Sequence, residues 1–351
     1  LPLFVTYFAM FFILQLLLLQ KFYSISKVLR MIAVFVVLIY LFGQPNFGQI
    51  STVPEGFKRI LTKMGPDGIL DVLSSSPDEY VMWSDKMSPS TISVKGRIER
   101  VQEHVKIPYL VKNYDKSLII GIGGGQDLVA GLYYGTNNIT AVEIDAQRIN
   151  LMKKEFKDYS QDLFFDKRIK ITNTSGRAFL RGNTEKFDLI AIQRPWTRQV
   201  SNAFIYSPSS ELFTVEALDI YLNALQEKGI IYWGLPSGID IFAAENKINF
   251  HNANKLLVFS AIKNKINILR NNLLIFLPGN NYYSFIGILI SKELDLMPFY
   301  LKYKNMYDFL YYPSMNIRKG LNNVVDYLFF EDSDNLKVID KQFIGLFNAH
   351  R

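Results

Sequence analysis

The segment Lys116–Asp145, KSLIIGIGGGQDLVAGLYYGTNNITAVEID, constrains the fold more than any other part of this 351-residue chain. It predicts a buried strand over Ser117–Ile122, a glycine turn, a short helix and a second strand that ends at Glu143. Glycines let a backbone approach a ligand closely, and a carboxylate about 20 residues further on can accept hydrogen bonds from ribose hydroxyls. The segment therefore predicts a nucleoside-type site at the head of an α/β sheet.

This segment departs from the dinucleotide fingerprint G-x-G-x-x-G, because Gln126 stands at the position of the third glycine. NAD is therefore only weakly indicated. Asp127 has two interpretations, a ligand contact or the N-cap of the helix that starts there. The candidate binding residues of the segment are Gly121, Gly123, Gly124, Gly125, Asp127, Glu143 and Asp145. Glu143 is a better candidate than Asp145, which points the same way only if the strand continues.

Downstream of Ser117, buried strands alternate with amphipathic helices. Strands are predicted at 117–122, 139–143, 169–172, 187–193 and 229–235, and helices at 127–134, 146–157, 176–182 and 211–227. This alternation predicts an α/β fold with a doubly wound, mostly parallel sheet, whose binding crevice lies at the carboxyl ends of the central strands. A helix at 245–260 and two strands at 272–277 and 283–290 follow, and the short separator between those strands predicts an antiparallel pair.

The first 54 residues differ from the rest, since no Asp or Glu occurs before Glu55. Residues 1–20 carry no charge and are long enough as a helix to cross a hydrocarbon core of about 30 Å. A second apolar run, 31–43, follows a basic connector. We predict a transmembrane helical hairpin in a bacterial inner membrane. A signal peptide fits less well, because of the second apolar run and the missing charged start.

The orientation of the large domain has arguments on both sides. Basic residues in the connector predict a domain outside the cell, whereas Lys58, Arg59 and Lys63 after the second helix predict the opposite. A domain that consumes a cytosolic nucleotide cofactor should face the cytoplasm, and this tips the prediction to that side. Membrane lipid is the first predicted partner. Aromatic-rich helices without buried charge also suit packing against other membrane subunits of a complex.

Composition removes several functional classes. The chain has no Cys, which excludes thiol nucleophiles, disulfides and thiolate metal sites. Its three His have no metal-motif spacing, so no metal is expected. The net charge is +7, and beyond residue 54 the basic excess is mild. No nucleic-acid partner is therefore expected.

The chain divides into four predicted parts. Two transmembrane helices occupy residues 1–54, and a β-rich lead-in of hairpins with a short helix near Arg100–Val111 occupies 55–115. The α/β domain occupies 116–294. A C-terminal tail, 295–351, is interpreted as helices packed on the domain.

Several motifs resemble one known family. Gly121–Asp127, Ala141–Asp145, NTSGRAFL at Asn173–Leu180 and FDLIAI at Phe187–Ile192 resemble class I S-adenosylmethionine-dependent transferases, with a Rossmann-like methyltransferase fold. The nearest branch is the spermidine synthase family, whose helix after the fourth strand is similar to Glu211–Gly229. The resemblance covers the chain from near residue 80 to near residue 290. Membrane-anchored bacterial proteins of this superfamily have a similar layout.

The resemblance assigns roles to particular residues. Gly121, Gly123 and Gly125 would face the methionine part of S-adenosylmethionine or of a decarboxylated or thioether relative, and Glu143 would bind the ribose hydroxyls. Ser175, ahead of Gly176, stands where the family has an acidic residue that contacts the adenine amine. A neutral hydroxyl there implies a weaker contact. Ser175, Gly176 and Gln193 complete the candidate cofactor-binding residues.

The main departure from the family follows the fourth strand. The family has an Asp-x-x-Asp run, whose first carboxylate helps to deprotonate and position the attacking amine, whereas this chain has Gln193-Arg194-Pro195-Trp196. Glutamine is not a general base, and Arg194 would repel a polyammonium substrate. The family's upstream acidic run is matched only loosely by Gly96–His104. The sequence therefore argues against aminopropyl transfer to putrescine.

Two functional hypotheses follow from this departure. The first is a methyl- or alkyltransferase acting on an unknown acceptor, with Trp196, Arg198 and Tyr206 shaping the acceptor pocket and catalysis resting on alignment. The second is a catalytically inactive, transferase-like scaffold or accessory subunit of a membrane complex. Whether the chain is an enzyme is left open by its residues. An open cavity beside Gln193 would favour the first hypothesis, and a filled one the second.

Overall fold

The structure, a computed structural model, describes residues 53–65, 68–84, 88–193, 210–236, 253–278, 285–319 and 321–330. Contacts divide the chain into two units, 1–56 and 57–351, and the elements below belong to the second. The apolar runs of the two predicted transmembrane helices, 1–20 and 31–43, lie outside the described residues. Within the described part of the chain, no helix is long and apolar enough to cross a membrane.

The lead-in forms a four-stranded antiparallel sheet in which consecutive strands pair. Its strands are β1 (Lys58–Gly65), β2 (Gly68–Ser76), β3 (Glu79–Ser84) and β4 (Ser88–Thr91). Leu70, Val72 and Met82 are buried and belong to the core that the lead-in shares with the larger sheet. The β-rich hairpins predicted from the turn signals of this stretch are confirmed.

The larger sheet has eight strands. They are β5 (Lys116–Ile120), β6 (Asn138–Glu143), β7 (Ile169–Asn173), β8 (Phe187–Gln193), β9 (Leu225–Pro236), β10 (Leu273–Pro278), β11 (Phe285–Ser291) and β12 (Tyr307–Tyr311). Their spatial order is β12-β10-β11-β9-β8-β5-β6-β7. The five strands from β7 to β9 are parallel, and β11, β10 and β12 continue the sheet antiparallel. The predicted α/β, mostly parallel sheet and its antiparallel last pair are confirmed.

Helices connect these strands. They are α1 (Glu103–Lys106), α2 (Gln126–Tyr133), α3 (Ala146–Lys154), α4 (Gly176–Arg181), α5 (Val215–Ala224), α6 (Ala253–Asn264), α7 (Ile266–Leu269), α8 (Met297–Tyr303) and α9 (Asn323–Phe329). Short 3₁₀ turns occupy Ile98–Arg100, Ile107–Leu110, Leu163–Phe165 and Ser210–Phe213. The helix expected near Arg100–Val111 is thus a short α-helix between two 3₁₀ turns.

The C-terminal tail is helical only in part, since a strand lies between its helices α8 and α9. Residues Tyr307–Tyr311 form β12, which pairs with β10 through Phe309 and Phe276. Aromatic side chains explain this strand, because they fit the pleated, half-buried surface at the edge of a sheet. Residues 331–351 lie outside the described part of the chain.

Alternate residues of each central strand enter two different cores. In β8, Ile190 and Ile192 pack on the side of α5 and α6, whereas Leu189 and Ala191 pack on the side of α2 and the lead-in sheet. All four side chains are fully buried. A strand buried on both faces needs an unbroken apolar run, so these strands could be predicted from the sequence. Each buried large apolar side chain stabilises the fold by about 1.5–3 kcal/mol.

An ion cluster joins the lead-in to the larger sheet. Asp166 accepts hydrogen bonds from Arg168 Nη2 at 2.9 Å and Nε at 3.0 Å, and its carboxylate lies 2.8 Å from Lys95 Nζ. Lys95 follows β4, and its backbone N–H donates to Ser160 O at 3.2 Å. The bonds from Arg168, and then those from Lys95, hold the pKa of Asp166 well below its usual range. The cluster therefore stabilises this junction when Asp166 is ionised.

Asp166→Asn should lower the free energy of unfolding at neutral pH by roughly 1–3 kcal/mol, because bonds to a charged group are lost. A carboxyl group whose folded pKa is lowered stabilises the fold above its unfolded pKa of about 3.9, and this contribution is lost as the pH falls further. Urea unfolding at pH 7, 5 and 3 should thus show a difference between wild type and variant that shrinks below pH 4. The exposed Asp158→Asn is the control. A difference that is the same at every pH would contradict the assignment.

Candidate functional site

The glycine turn lies at the carboxyl end of β5, where the strand order of the sheet reverses between β8 and β6. In parallel α/β sheets, ligands bind in the crevice at such a point. Gly123 has φ of +47°, a left-handed conformation that favours glycine. Gly125, with φ of +93°, is the N-cap of α2. The turn therefore takes its shape from residues without a side chain.

Glu143, at the end of β6, braces this turn. Its Oε2 accepts a hydrogen bond from Gly123 N–H at 3.0 Å, and its Oε1 accepts one from Asp145 N–H at 3.0 Å. The side chain is 5% exposed. A carboxylate has about four acceptor sites, so two backbone bonds leave capacity for ribose hydroxyls. The structure places Glu143 behind the turn, where it fixes the turn and can still accept from a ligand.

The lead-in sheet contacts the other side of the turn. Gly124 N–H donates to Ser90 Oγ at 2.8 Å, and Gly124 O accepts from Ser93 N–H at 2.8 Å. A Cβ on Gly124 would lie 2.0 Å from Thr91 O, so only glycine fits this approach. The sequence predicted a ligand contact for Gly124, and the structure gives its N–H and its carbonyl to the lead-in.

Three of the predicted residues serve the helices near the site. Asp145 is the N-cap of α3 and accepts from Gln147 N–H at 2.8 Å, and Ser175 is the N-cap of α4 and accepts from Ala178 N–H at 3.2 Å. A Cβ on Gly176 would lie 2.6 Å from Ile120 Cγ2. These contacts give each residue a packing or capping role, and a ligand role for them stays a prediction.

A small cavity lies beside the turn, with a volume of about 40 Å³. It is lined by four of the predicted residues, Gly121, Gly123, Asp127 and Gln193. Ser90, His104 and Arg148 also line it. Arg148 Nε lies 3.4 Å from Asp145 Oδ2, so this cation has a carboxylate beside it. No local sequence pattern predicted Ser90 and Arg148 at this cavity, because each reaches it through tertiary packing.

Asp127 and Gln193 form a buried pair at this cavity. Gln193 Nε2 donates to Asp127 Oδ1 at 2.6 Å and to Val105 O at 3.4 Å. Asp127 is 7% exposed and Gln193 is 5% exposed. The N-cap interpretation of Asp127 is wrong, because Gly125 caps α2 and Asp127 is its second residue. The structure thus brings together two candidates that are 66 positions apart.

His104 lies next to this pair and is held by one contact to its backbone and one to its ring. Tyr232 Oη donates to His104 O at 2.9 Å, and the His104 ring stacks on Phe285 with centroids 3.8 Å apart. Arg194, Trp196, Arg198 and Tyr206, predicted near the acceptor, lie outside the described residues. Within the described part of the chain, no group of His, Asp and Glu could hold a metal ion.

A larger groove of about 540 Å³ lies at the opposite, amino edge of the sheet. Two of its lysines bond the backbone, since Lys186 Nζ donates to Asn223 O and Lys292 Nζ donates to Leu225 O. These bonds cap the carboxyl end of α5, which is the usual place for cations on a helix. The groove is bigger than the cavity, but it is far from the edge at which α/β sheets bind ligands.

Comparison with known proteins finds similarity to one family over part of the chain. Residues 102–257 match the family model described as spermine/spermidine synthase domain. The polyamine aminopropyltransferase of Thermoplasma volcanium is 34% identical over 145 residues, 40% of this chain and 50% of that protein. That of Sulfurisphaera tokodaii is 27% identical over 178 residues, 50% of each chain. Polyamine aminopropyltransferase 2 of Aquifex aeolicus is 28% identical over 165 residues, 45% of this chain and 31% of that protein. The chain thus spans between a third and a half of these relatives.

Solved structures show the same fold. The spermidine synthase of Thermotoga maritima has a TM-score of 0.50 at 20% identity, covering 82% of this chain and 88% of that one. A spermidine synthase in complex with the transition state analogue AdoDATO has a TM-score of 0.51 at 21% identity, covering 82% and 89%. The Rossmann-like, methyltransferase-like sheet predicted from the sequence is therefore shown.

Two predictions need correction. The argument against aminopropyl transfer, with its alternatives of methyl transfer or an inactive scaffold, is contradicted, because the matched relatives are named polyamine aminopropyltransferases. Position 193 carries no carboxylate, but the carboxylate of Asp127 lies next to Gln193.

The predicted membrane localisation is also contradicted. The matched relatives are named polyamine aminopropyltransferases. The chain carries, in residues 102–257, a region similar to the spermine/spermidine synthase domain, on the fold of the solved spermidine synthases.

Proposed function

We propose that the α/β domain binds decarboxylated S-adenosylmethionine at the glycine turn and transfers its aminopropyl group to an amine. The observation that carries this proposal is the glycine turn at the reversal of strand order, braced by the Glu143 carboxylate through Gly123 N–H. The domain match and the names of the relatives support the reaction type.

The charges near the turn suit a cationic donor. Glu143 lies behind the turn and Asp127 lines the cavity, while Arg148 is beside Asp145. Glu143 and Asp127 thus place two carboxylates beside the turn. An acidic, largely buried environment favours a sulfonium ion over its neutral thioether product, because charge interactions strengthen away from water. Product release is thereby favoured once the charge on sulfur is gone.

The reaction needs alignment more than acid–base strength. The amine nitrogen forms a bond to the methylene carbon next to the sulfonium, the carbon–sulfur bond breaks, and the electron pair leaves with the thioether. The nitrogen must also lose one proton. Holding both reactants in line converts a bimolecular step into one within the complex, which lowers the barrier substantially. The rigid turn and the buried cavity would serve this positioning.

The small cavity beside the turn limits how the donor can bind. A cavity of about 40 Å³ has room for a group the size of about one water molecule, not for a nucleoside. Ser90, which bonds Gly124 N–H, and Pro89 lie over this space. We therefore expect donor binding to move the end of the lead-in that bears Pro89 and Ser90 away from the turn.

Calorimetric titration of the 351-residue chain should show binding of decarboxylated S-adenosylmethionine, and Glu143→Gln should weaken it by about tenfold or more. The variant places an amide N–H₂ against one of two backbone N–H donors, so it disturbs the turn and loses a ribose acceptor. The exposed Glu185→Gln is the matched control. Thermal melting verifies that each variant is folded at the titration temperature. No heat of binding at millimolar ligand would contradict the proposal.

Ser90→Ala should strengthen donor binding by roughly two- to tenfold, because a hydrogen bond of about 0.5–1.5 kcal/mol no longer holds the lead-in on the turn. Ser93→Ala is the control, since Ser93 contacts Gly124 through its backbone N–H and keeps that bond. Both variants are compared by the same titration. An unchanged affinity in Ser90→Ala would show that the movement of the lead-in is not required.

The transfer itself is tested by incubating the chain with decarboxylated S-adenosylmethionine and putrescine. Mass spectrometry should find the thioether and the aminopropylated amine in equal amounts. Donor that binds without forming product with putrescine, spermidine or another primary amine would contradict aminopropyl transfer and leave donor binding standing.

A further inference from the structure

We propose that the buried pair Asp127–Gln193 is the binding site of the acceptor amine, and that the Asp127 carboxylate is the acidic group absent from position 193. This inference rests on the proposed function and adds to it the two residues that bind the acceptor. It also assigns the proton acceptor of the reaction. In that step the nitrogen loses a proton to Asp127, its lone pair forms the carbon–nitrogen bond, and the thioether leaves.

The contacts of Gln193 fix which end of its amide faces the cavity. Nε2 donates to Asp127 Oδ1 at 2.6 Å and to Val105 O at 3.4 Å, and both of these partners are acceptors. A flipped amide would place its oxygen against a carboxylate and a carbonyl, which is repulsive. The oxygen end therefore points away from Asp127.

Gln193 Oε1 is buried and has no hydrogen-bond partner among the described residues. Buried acceptors in native proteins are nearly always satisfied, so this one points to a donor supplied by a ligand. Gly234 is the residue of β9 that pairs with Gln193. A Cβ on Gly234 would lie 3.3 Å from Oε1, so glycine keeps open the space beside this oxygen.

The pair matches an ammonium group in charge, size and hydrogen bonds. A carboxylate is acceptor-only and an ammonium carries three donors, so one ammonium can bond both Asp127 and Gln193 Oε1. The cavity of about 40 Å³ has room for one such head group. An alcohol has a single donor and no charge, so it should bind much more weakly. The geometry therefore selects amines over alcohols.

The test uses steady-state kinetics with putrescine and calorimetry with putrescine, with 1,4-butanediol as the uncharged probe. Asp127→Asn keeps an oxygen for Gln193 and removes the charge. It should raise the KM for putrescine about tenfold or more and lower kcat, because the charge that binds the ammonium and the proton acceptor are both lost. Asp188→Asn is the matched control, because Asp188 bonds two backbone N–H groups at the opposite edge of the sheet.

A double variant separates charge from structure. Asp127→Asn with Gln193→Glu exchanges the amide and the carboxylate across the same hydrogen bond. We expect it to restore the KM for putrescine to within about threefold of wild type. This double variant keeps one amide and one carboxylate at the cavity. It therefore still tests the proposal if Asp127→Asn alone does not fold. A double variant no better than Asp127→Asn would overturn the proposal.

The outcomes distinguish this inference from the proposed function. Transfer to putrescine that is unaffected by Asp127→Asn would overturn the amine site alone. Putrescine that binds through Asp127 in a chain without transfer would support the amine site and overturn the proposed reaction. Equal binding of putrescine and 1,4-butanediol to the wild type would overturn the amine site directly.

Discussion

The carboxylate of Glu143 holds together the carboxyl edge of the sheet on which the candidate site is built. Its two oxygens accept from Gly123 N–H and from Asp145 N–H, so a single side chain connects the glycine turn to the residue that caps α3. Both backbone donors are buried with it, and a buried N–H that loses its acceptor costs about 1–3 kcal/mol. The left-handed conformation of Gly123 is therefore stabilised by Glu143 at the end of β6, and it is allowed because glycine has no side chain.

The sequence predicted the larger sheet well, because burial on both faces left an unbroken apolar run in each central strand. The strand β8 shows this most clearly, with successive residues in two different cores and its bounds, Phe187–Gln193, as predicted. Strand β12 was not predicted, because it forms by pairing with β10, which is distant in the chain. A local pattern predicts a strand only where the pattern is strong, whereas an edge strand takes its form from its neighbour.

The candidate site was predicted in part. The residues that differ from the prediction do so for two reasons, helix capping and contacts with a distant part of the chain. Gly121, Gly123, Asp127 and Gln193 line the cavity together, since the carboxyl ends of parallel strands meet at one edge. Asp145 and Ser175 cap helices instead, which their positions just before helical runs also allowed. Ser90 could not be found from the sequence, because it reaches Gly124 from another sheet, 34 residues away.

The pair at the cavity also explains why a glutamine at position 193 is compatible with a cationic acceptor. Two carboxylates at the 2.6 Å separation of Asp127 Oδ1 and Gln193 Nε2 could not both ionise, so one would take up a proton. A carboxylate beside an amide keeps one full negative charge without that penalty, and the amide adds a second acceptor through its oxygen. With Asp at position 127, a neutral partner at 193 preserves the charge that an amine requires. The chemistry of this edge thus depends on where a carboxylate lies in space, and a comparison of position 193 alone gives the opposite conclusion.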